Sequence, residues 1–496
     1  MKPIPLQSGL VVIFILFGAL FTWQQRELPL VRNSLFYGDV AHAIHTEGVF
    51  SREAARRTFN KPMGFSVLAA PLVAWLGVDG GLKAASVVAT AFWSLMVLLF
   101  LRRYAKDPAI VGLGLLFTFL NPLVIYQFTS AYPDTLFAGF FLLGILFLDR
   151  ALSREAKAWD GSLGALAVLV GIWVKHHGFV LLPIWGVLGL IRRSDLQWQW
   201  RESRGRLWGW LGPLLGLLGI LLAAQKGWVP TFNLSHNQDN FLGGQERSAI
   251  VWENLQCLGV YLWILWGGLL PIFFLGRPPW RGRSGWLWGG QLGIFISTVL
   301  FYQGAAYNIR YFLPITPLLA WWGAVRLSRL GPGGRQGLLG LFLLWNGFTI
   351  LYYNVPVFQR WVHPHISLPQ VDNLRLVSEQ QRARENLAWM DHFTPSHDQT
   401  VIFLSRYYDG NTPRGWERAG YFADGTILHY APYWEHELIE RWHLRRAVIY
   451  EYVGVGPERN RLQRDPDIQD ALQKVNDRLY LLNLDRPPPG VEWRGP

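Results

Sequence analysis

Apolar positions in this chain fall in long unbroken runs, not at the alternating or three-to-four-residue spacing of half-buried elements. Runs long enough to cross a hydrocarbon core about 30 Å thick recur at about 8–24, 82–101, 109–126, 133–149, 207–225, 256–275, 286–304, 310–327 and 337–354. A further run, 162–191, is interrupted at Lys175-His176-His177 and reads as two short spans joined at that polar point. The pattern therefore predicts about eleven transmembrane helices. Lys2 ahead of the first run has the layout of a secretory signal, yet no small-x-small cleavage site follows and further spans do, so that run reads as the first span.

From about 355 the pattern changes to Arg, Glu, Asp, Gln and His. Short β-rich runs appear at 400–404, 447–453 and 479–484, with helix-like stretches at 374–393, 434–443 and 467–478 between them. Such alternation predicts a small α/β domain. The expected organisation is a membrane domain over 1–354, with a first outer loop at 25–81, and a separate α/β domain over 355–496.

Composition agrees with a membrane class: 51% of the 496 residues are hydrophobic and only 16% charged, against roughly a quarter charged in soluble chains. Mean hydropathy is only +0.17, which the polar C-terminal piece explains. A net charge of +12 suggests nucleic acid until the basic residues are located. They sit in alternate short loops: Arg102, Arg103 and Lys106; Arg150, Arg154 and Lys157; Arg192 to Arg206; Arg277 to Arg283; Arg326 to Arg335. The positive-inside rule makes these loops cytoplasmic, so the charge orients the chain and implies no nucleic-acid partner. With the N-terminus inside and an odd number of spans, the segment 25–81 and the C-terminal domain lie outside the cytoplasm. The single cysteine, Cys257, offers neither a disulfide framework nor a thiolate metal site.

Three polar patches fall at outer boundaries. The first is Tyr37-Gly38-Asp39-Val40-Ala41-His42-Ala43 with Lys61-Pro62-Met63-Gly64. If Asp39 opens a helix, His42 and Ala43 share its face one turn on. The second is Tyr132-Pro133-Asp134, where a buried acid is expensive and usually functional, although Asp134 also suits a helix start. The third is Arg310-Tyr311-Phe312-Leu313-Pro314-Ile315-Thr316-Pro317, whose Arg can hold a phosphate with forked hydrogen bonds or merely snorkel at a helix end. Lys175-His176-His177 is a fourth polar cluster, able to touch a phosphate. Adjacent histidines diverge on a helix, so a divalent metal would need ligands from elsewhere. The sequence supports no metal site and calls for no cofactor.

In these patches residues 8–354 resemble the GT-C glycosyltransferases of the protein O-mannosyltransferase and aminoarabinose-transferase type (family 39-like). Asp39, Ala43, Gly48 and Lys61-Pro62-Met63-Gly64 fill the places of that family's first outer loop, and Arg310-Tyr311 with Pro314 and Pro317 those of its late Arg-Tyr element. Val40 and His42 depart from its usual second acid and Tyr. The resemblance implies a polytopic α-helical membrane enzyme of the cell envelope, in a bacterial inner membrane. It implies inverting transfer of a sugar from a polyprenyl phosphate donor to a glycan, lipid or protein acceptor on the outer face. Asp39 would take the acceptor proton, Lys61 and Arg310 would hold the leaving phosphate, and Asp134 would orient acceptor or sugar hydroxyls. His42, Tyr311, Lys175 and His176 are further candidate substrate contacts. Two rivals are a transporter or flippase of lipid-linked sugars, which predicts ionisable groups deep in the spans, and a non-catalytic scaffold, which leaves the boundary patches without a role.

Overall fold

The computed structural model describes residues 6–31, 33–48, 62–151, 159–175, 247–269, 309–368, 400–404, 426–431, 434–451, 465–475 and 479–485, with scattered positions between these runs. Two compact units emerge: Met1–Leu28 with Val40–Glu379, and Pro29–Asp39 with Gln380–Pro496.

The first unit is helical. Its helices are α1 (Leu6–Gln24), α2 (Asn33–Glu47, whose first residues fall in the other unit), α3 (Gly64–Tyr104), α4 (Pro108–Phe119), α5 (Pro122–Tyr126), α6 (Asp134–Ala151), α7 (Asp160–Val174), α8 (Arg247–Trp266), α9 (Thr316–Ser328), α10 (Pro332–Asn354) and α11 (Pro356–Val362). Among the described residues α1 and α3 are long and apolar enough to cross a membrane. Large apolar side chains stand exposed along α1 (Ile13, Leu16, Leu20) and α10 (Leu344, Leu351), a surface that water would penalise and hydrocarbon would not. Inward faces interlock through rings: Phe14 stacks on Phe119 with centroids 4.1 Å apart, and Phe117 meets Phe342 edge-on at 4.9 Å. Gly18 lets the Phe128 ring approach α1, because a Cβ there would stand 2.1 Å from it.

Several expected boundaries move. The outer loop predicted over 25–81 is instead helical over Asn33–Glu47 and again from Gly64, and the second span is the latter part of α3. Gly77, at φ 71°, breaks α3 with a backbone that only glycine adopts without strain. The run 109–126 divides at Asn121-Pro122, where the Asn121 side chain accepts from the Leu123 amide at 3.0 Å and proline withholds the amide that would continue α4. The described part of the run predicted over 256–275 belongs to a helix that starts earlier, at Arg247, and ends at Trp266. The runs predicted over 207–225 and 286–304 lie largely or wholly outside the described residues.

Just beyond Gly77, Lys83 is 1% exposed. Its ammonium donates to the Gln25 carbonyl at 2.7 Å and to the Leu28 carbonyl, with the Arg26 carbonyl at 3.4 Å. The chain leaving α1 is thereby pinned to α3.

The second unit contains a mixed five-stranded sheet of order β2-β1-β3-β5-β4, made of β1 (Thr400–Leu404), β2 (Ile427–Ala431), β3 (Arg446–Glu451), β4 (Leu472–Lys474) and β5 (Leu479–Asn483). β1 runs parallel to both β2 and β3, whereas β5 is antiparallel to β3 and β4. β-branched and aromatic residues suit such half-buried ladders. Ile402, Ile449, Tyr480 and Leu482 close over Trp434 and over Leu438 of the short helix α12 (Glu437–Arg441). The helix-like stretch expected at 467–478 is instead a 3-10 turn at Gln469–Ala471 followed by β4. Asp465 draws the Asp467 amide onto its own side chain at 3.2 Å, a local turn that competes with helix.

Asp465 also receives the Trp434 indole N–H at 2.9 Å and faces His436 Nδ1 at 3.1 Å. Burial alone would raise its carboxyl, but the Trp434, His436 and Asp467 hydrogen bonds and the His436 charge hold it below the ordinary value. A depressed folded-state value adds stability above the unfolded carboxylate range, and that stability is lost as pH falls through the folded value. Asp465→Asn is therefore expected to speed proteolysis of the sheet unit in the full chain at neutral pH. The difference from the parent chain should shrink on acidification; equal cleavage rates at pH 7 would remove this role.

Candidate functional site

Three chain ends meet at one end of the helical unit. Between α5 and α6 the chain is irregular yet buried: Gln127, Thr129 and Ser130 are each 0% exposed, Ser130 Oγ donates to the Gln127 carbonyl at 3.2 Å, and Ala131 takes φ 52°. Asp134 then begins α6. Helix α7 stops where Lys175 turns to extended backbone. A 3-10 helix over Ile309–Ile315, carrying Arg310 and Tyr311, precedes α9.

The Lys175 ammonium hydrogen-bonds Asp134 Oδ1, and Arg310 Nε lies 3.8 Å from Oδ2. Both cations also lie over rings: Lys175 Nζ is 4.0 Å from the centre of Tyr311, and Arg310 Cζ is 4.1 Å from that of Tyr132. His177 stacks on Tyr311 with centroids 4.7 Å apart. Asp134 and Arg310 are buried. Taken singly, the Arg310–Asp134 attraction is about 4 kcal/mol at an effective dielectric of 20, and the desolvation of both groups offsets most of it. The arrangement thus contributes placement more than stability. Two cations against one carboxylate leave a formal surplus of one positive charge, and the arginine adds a planar set of donors. An anionic oxygen cluster such as a phosphate matches that chemistry.

The opposite ends of the same helices are tied differently. Arg103 of α3 donates from Nη2 and Nε to Asp149 Oδ2 of α6 at 2.8 and 3.1 Å, and the Tyr104 hydroxyl donates to the same oxygen at 3.1 Å. Arg150 lies 3.5 Å from Asp160 of α7. These pairs clamp helices together at the end that carries the arginine-rich turns.

No family model matches the chain. The undecaprenyl phosphate-α-4-amino-4-deoxy-L-arabinose arabinosyl transferase of Pseudomonas aeruginosa is 28% identical over 369 residues, and that of Pseudomonas paraeruginosa 26% over 367. These matches take in 68% of this chain and only 63% of the relatives' length. The crystal structure of ArnT from Cupriavidus metallidurans bound to undecaprenyl phosphate has a TM-score of 0.59 at 13% identity, over 96% of this chain and 98% of that one. The apo form scores 0.58 at 14% identity. The chain has the GT-C fold of an aminoarabinose transferase. It is an integral membrane protein, as that fold requires.

Within the aminoarabinose-transferase fold, the structure brings together four of the residues singled out in the sequence: Asp134, Arg310, Lys175 and Tyr311. Lys61 and His176 lie outside the described residues, and so does the expected convergence of Lys61 with Arg310; among the described residues Lys175 approaches the same carboxylate as Arg310. Asp39 does not open a helix. It lies within α2, which starts at Asn33, and is 1% exposed. Of its two expected companions Ala43 is buried with it, whereas His42 is exposed, because a three-residue step lands at the edge of a helical face. Tyr132 was not assigned a role from sequence, and His177 only as a member of the Lys175-His176-His177 cluster. Both adjoin residues that were, and an aromatic beside a buried charge is the signal that would have found them.

Proposed function

We propose that this protein transfers a sugar from an undecaprenyl phosphate-linked donor to an acceptor hydroxyl at the outer face of a bacterial inner membrane, with inversion at the anomeric carbon. The observation that carries this reading is the convergence of Lys175 and Arg310 on one buried acid at the end of the helices opposite the arginine-rich turns. In the reaction the acceptor oxygen bonds to the anomeric carbon, the bond from that carbon to the phosphate oxygen breaks, and the acceptor proton passes to a general base, the role the family resemblance gives to Asp39. Charge then grows on the leaving phosphate. Arg310 and Lys175 stabilise it, with Lys61 joining them on the strength of the family resemblance. Asp134 holds the two cations in place, a different role from the hydroxyl-orienting one expected from sequence. Tyr311 backs the lysine, and His42 and His176 remain candidate substrate contacts.

The donor named for the curated relatives supplies the test substrate. With purified full-length protein, undecaprenyl phosphate-linked 4-amino-4-deoxy-L-arabinose and a bacterial envelope lipid extract as the source of acceptor, release of undecaprenyl phosphate should depend on Arg310. Arg310→Lys keeps the charge but loses the planar fork, so turnover should fall about ten-fold or more. Undiminished turnover in that variant would leave Arg310 without a donor role.

The same reading divides the chain into a membrane domain over 1–354, polytopic with about eleven spans, and an extracytoplasmic domain over 355–496. Placement of the arginine-rich turns at the ends opposite Asp134 supports this orientation. Alkaline phosphatase fused after Pro496 should be active in intact bacteria, and a fusion active only as a cytoplasmic reporter would invert the topology.

A further inference from the structure

We infer that Tyr132 is a positioning residue for the donor phosphate: its ring, presented by the left-handed turn at Ala131, carries the Arg310 guanidinium and sets the plane in which that group meets an anion. This rests on the donor reading above and deepens it.

Two independent observations point the same way. The first is geometric. Arg310 Cζ stands 4.1 Å from the centre of the Tyr132 ring and 5.5 Å from that of Tyr311, so Tyr132 is the nearer platform. Tyr132 is 2% exposed, and a cation–ring contact strengthens where water is excluded. A guanidinium presents its donors only in its own plane, so whatever fixes that plane decides which N–H groups can reach a phosphate. The Asp134 carboxylate, 3.8 Å from Nε, constrains one edge of the group and not its tilt. A ring beneath Cζ constrains the tilt.

The second is backbone strain. Ala131 has φ 52°, a conformation disfavoured for any residue with a Cβ. Such strain persists where the surroundings over-determine it, and it clusters at ligand-binding sites. Here the buried segment from Gln127 to Ser130 anchors one side of the turn and the start of α6 the other. The reversal at Ala131 delivers Tyr132 beneath the arginine immediately before Pro133 and Asp134 begin the helix. One short segment thus supplies both the acid and the ring that hold Arg310.

The test is binding of undecaprenyl phosphate to purified full-length protein in nanodiscs, alongside turnover of the aminoarabinose donor. Tyr132→Phe keeps the ring and should bind within about two-fold of the parent, while Tyr132→Leu removes it and should weaken binding about ten-fold. The loss should appear in KM for the donor more than in kcat. In an Arg310→Lys background Tyr132→Leu should add little, because its effect runs through the guanidinium. Should Tyr132→Leu not fold, Tyr132→Met, which fills the space flexibly, carries the same expectation. If the parent chain binds undecaprenyl phosphate and the ring-less variants bind equally well, the inference falls while the donor reading stands. If the parent chain does not bind it, both fall together.

Discussion

Replacing Asp134 with alanine is expected to destabilise the helical unit by about 3–5 kcal/mol and to abolish sugar transfer, because two buried cations would lose the carboxylate they share. Lys175 and Arg310 approach Asp134 through different oxygens, so no rotation of the remaining partners replaces it. The charge count supplies an internal control. The parent trio carries a formal surplus of one positive charge, and so does the pair of changes Asp134→Asn with Lys175→Met, which leaves Arg310 alone. That double variant should recover much of the lost thermal stability in detergent while remaining inactive. An Asp134→Ala protein that melts with the parent would show that the three groups are not energetically coupled.

Asp39→Asn should leave expression, insertion and donor binding intact and lower turnover by about 10²–10⁴-fold, the usual span for a general base. The carboxamide matches the carboxylate in shape, which matters at a position 1% exposed within α2, but it cannot take the acceptor proton. Measuring kcat together with undecaprenyl phosphate affinity separates the two roles: a weaker phosphate site with unchanged kcat would assign Asp39 to binding. Near-normal turnover in the asparagine variant would exclude it as the base.

The sequence was most informative where burial and charge pull in opposite directions. Asp134, Arg310 and Lys175 stand out because an ionised group at the edge of an apolar run is costly unless it has partners, and each of them has the others. Their mutual arrangement was not legible, because no spacing rule links residue 175 to residue 310. Apolar runs located α1, α6 and α10 to within a few residues, since length and hydropathy suffice there. They misjudged the α4–α5 boundary, where one Asn-Pro step interrupts a uniformly apolar stretch. They also missed the helix before Gly77, because a polar-looking outer segment hid a second apolar helix. In the sheet unit β1, β3 and β5 were visible through β-branched and aromatic runs. β2 was not, because Leu-His-Tyr lacks that signature, and β4 was read as helix because its three residues show no period at all.

Lys83 bears on how the chain is inserted. Its ammonium and the carbonyls of Gln25 and Leu28 are each poorly tolerated in hydrocarbon, yet they satisfy one another across 55 to 58 residues of chain. During synthesis the carbonyls emerge first and the lysine later, so the acceptors are already waiting when the donor arrives. Translocating machinery that released α1 into lipid before α3 appeared would strand both halves, whereas holding the two as a hairpin lets them enter the bilayer with their polar groups matched. By that logic α1 and α3 are expected to enter the bilayer together.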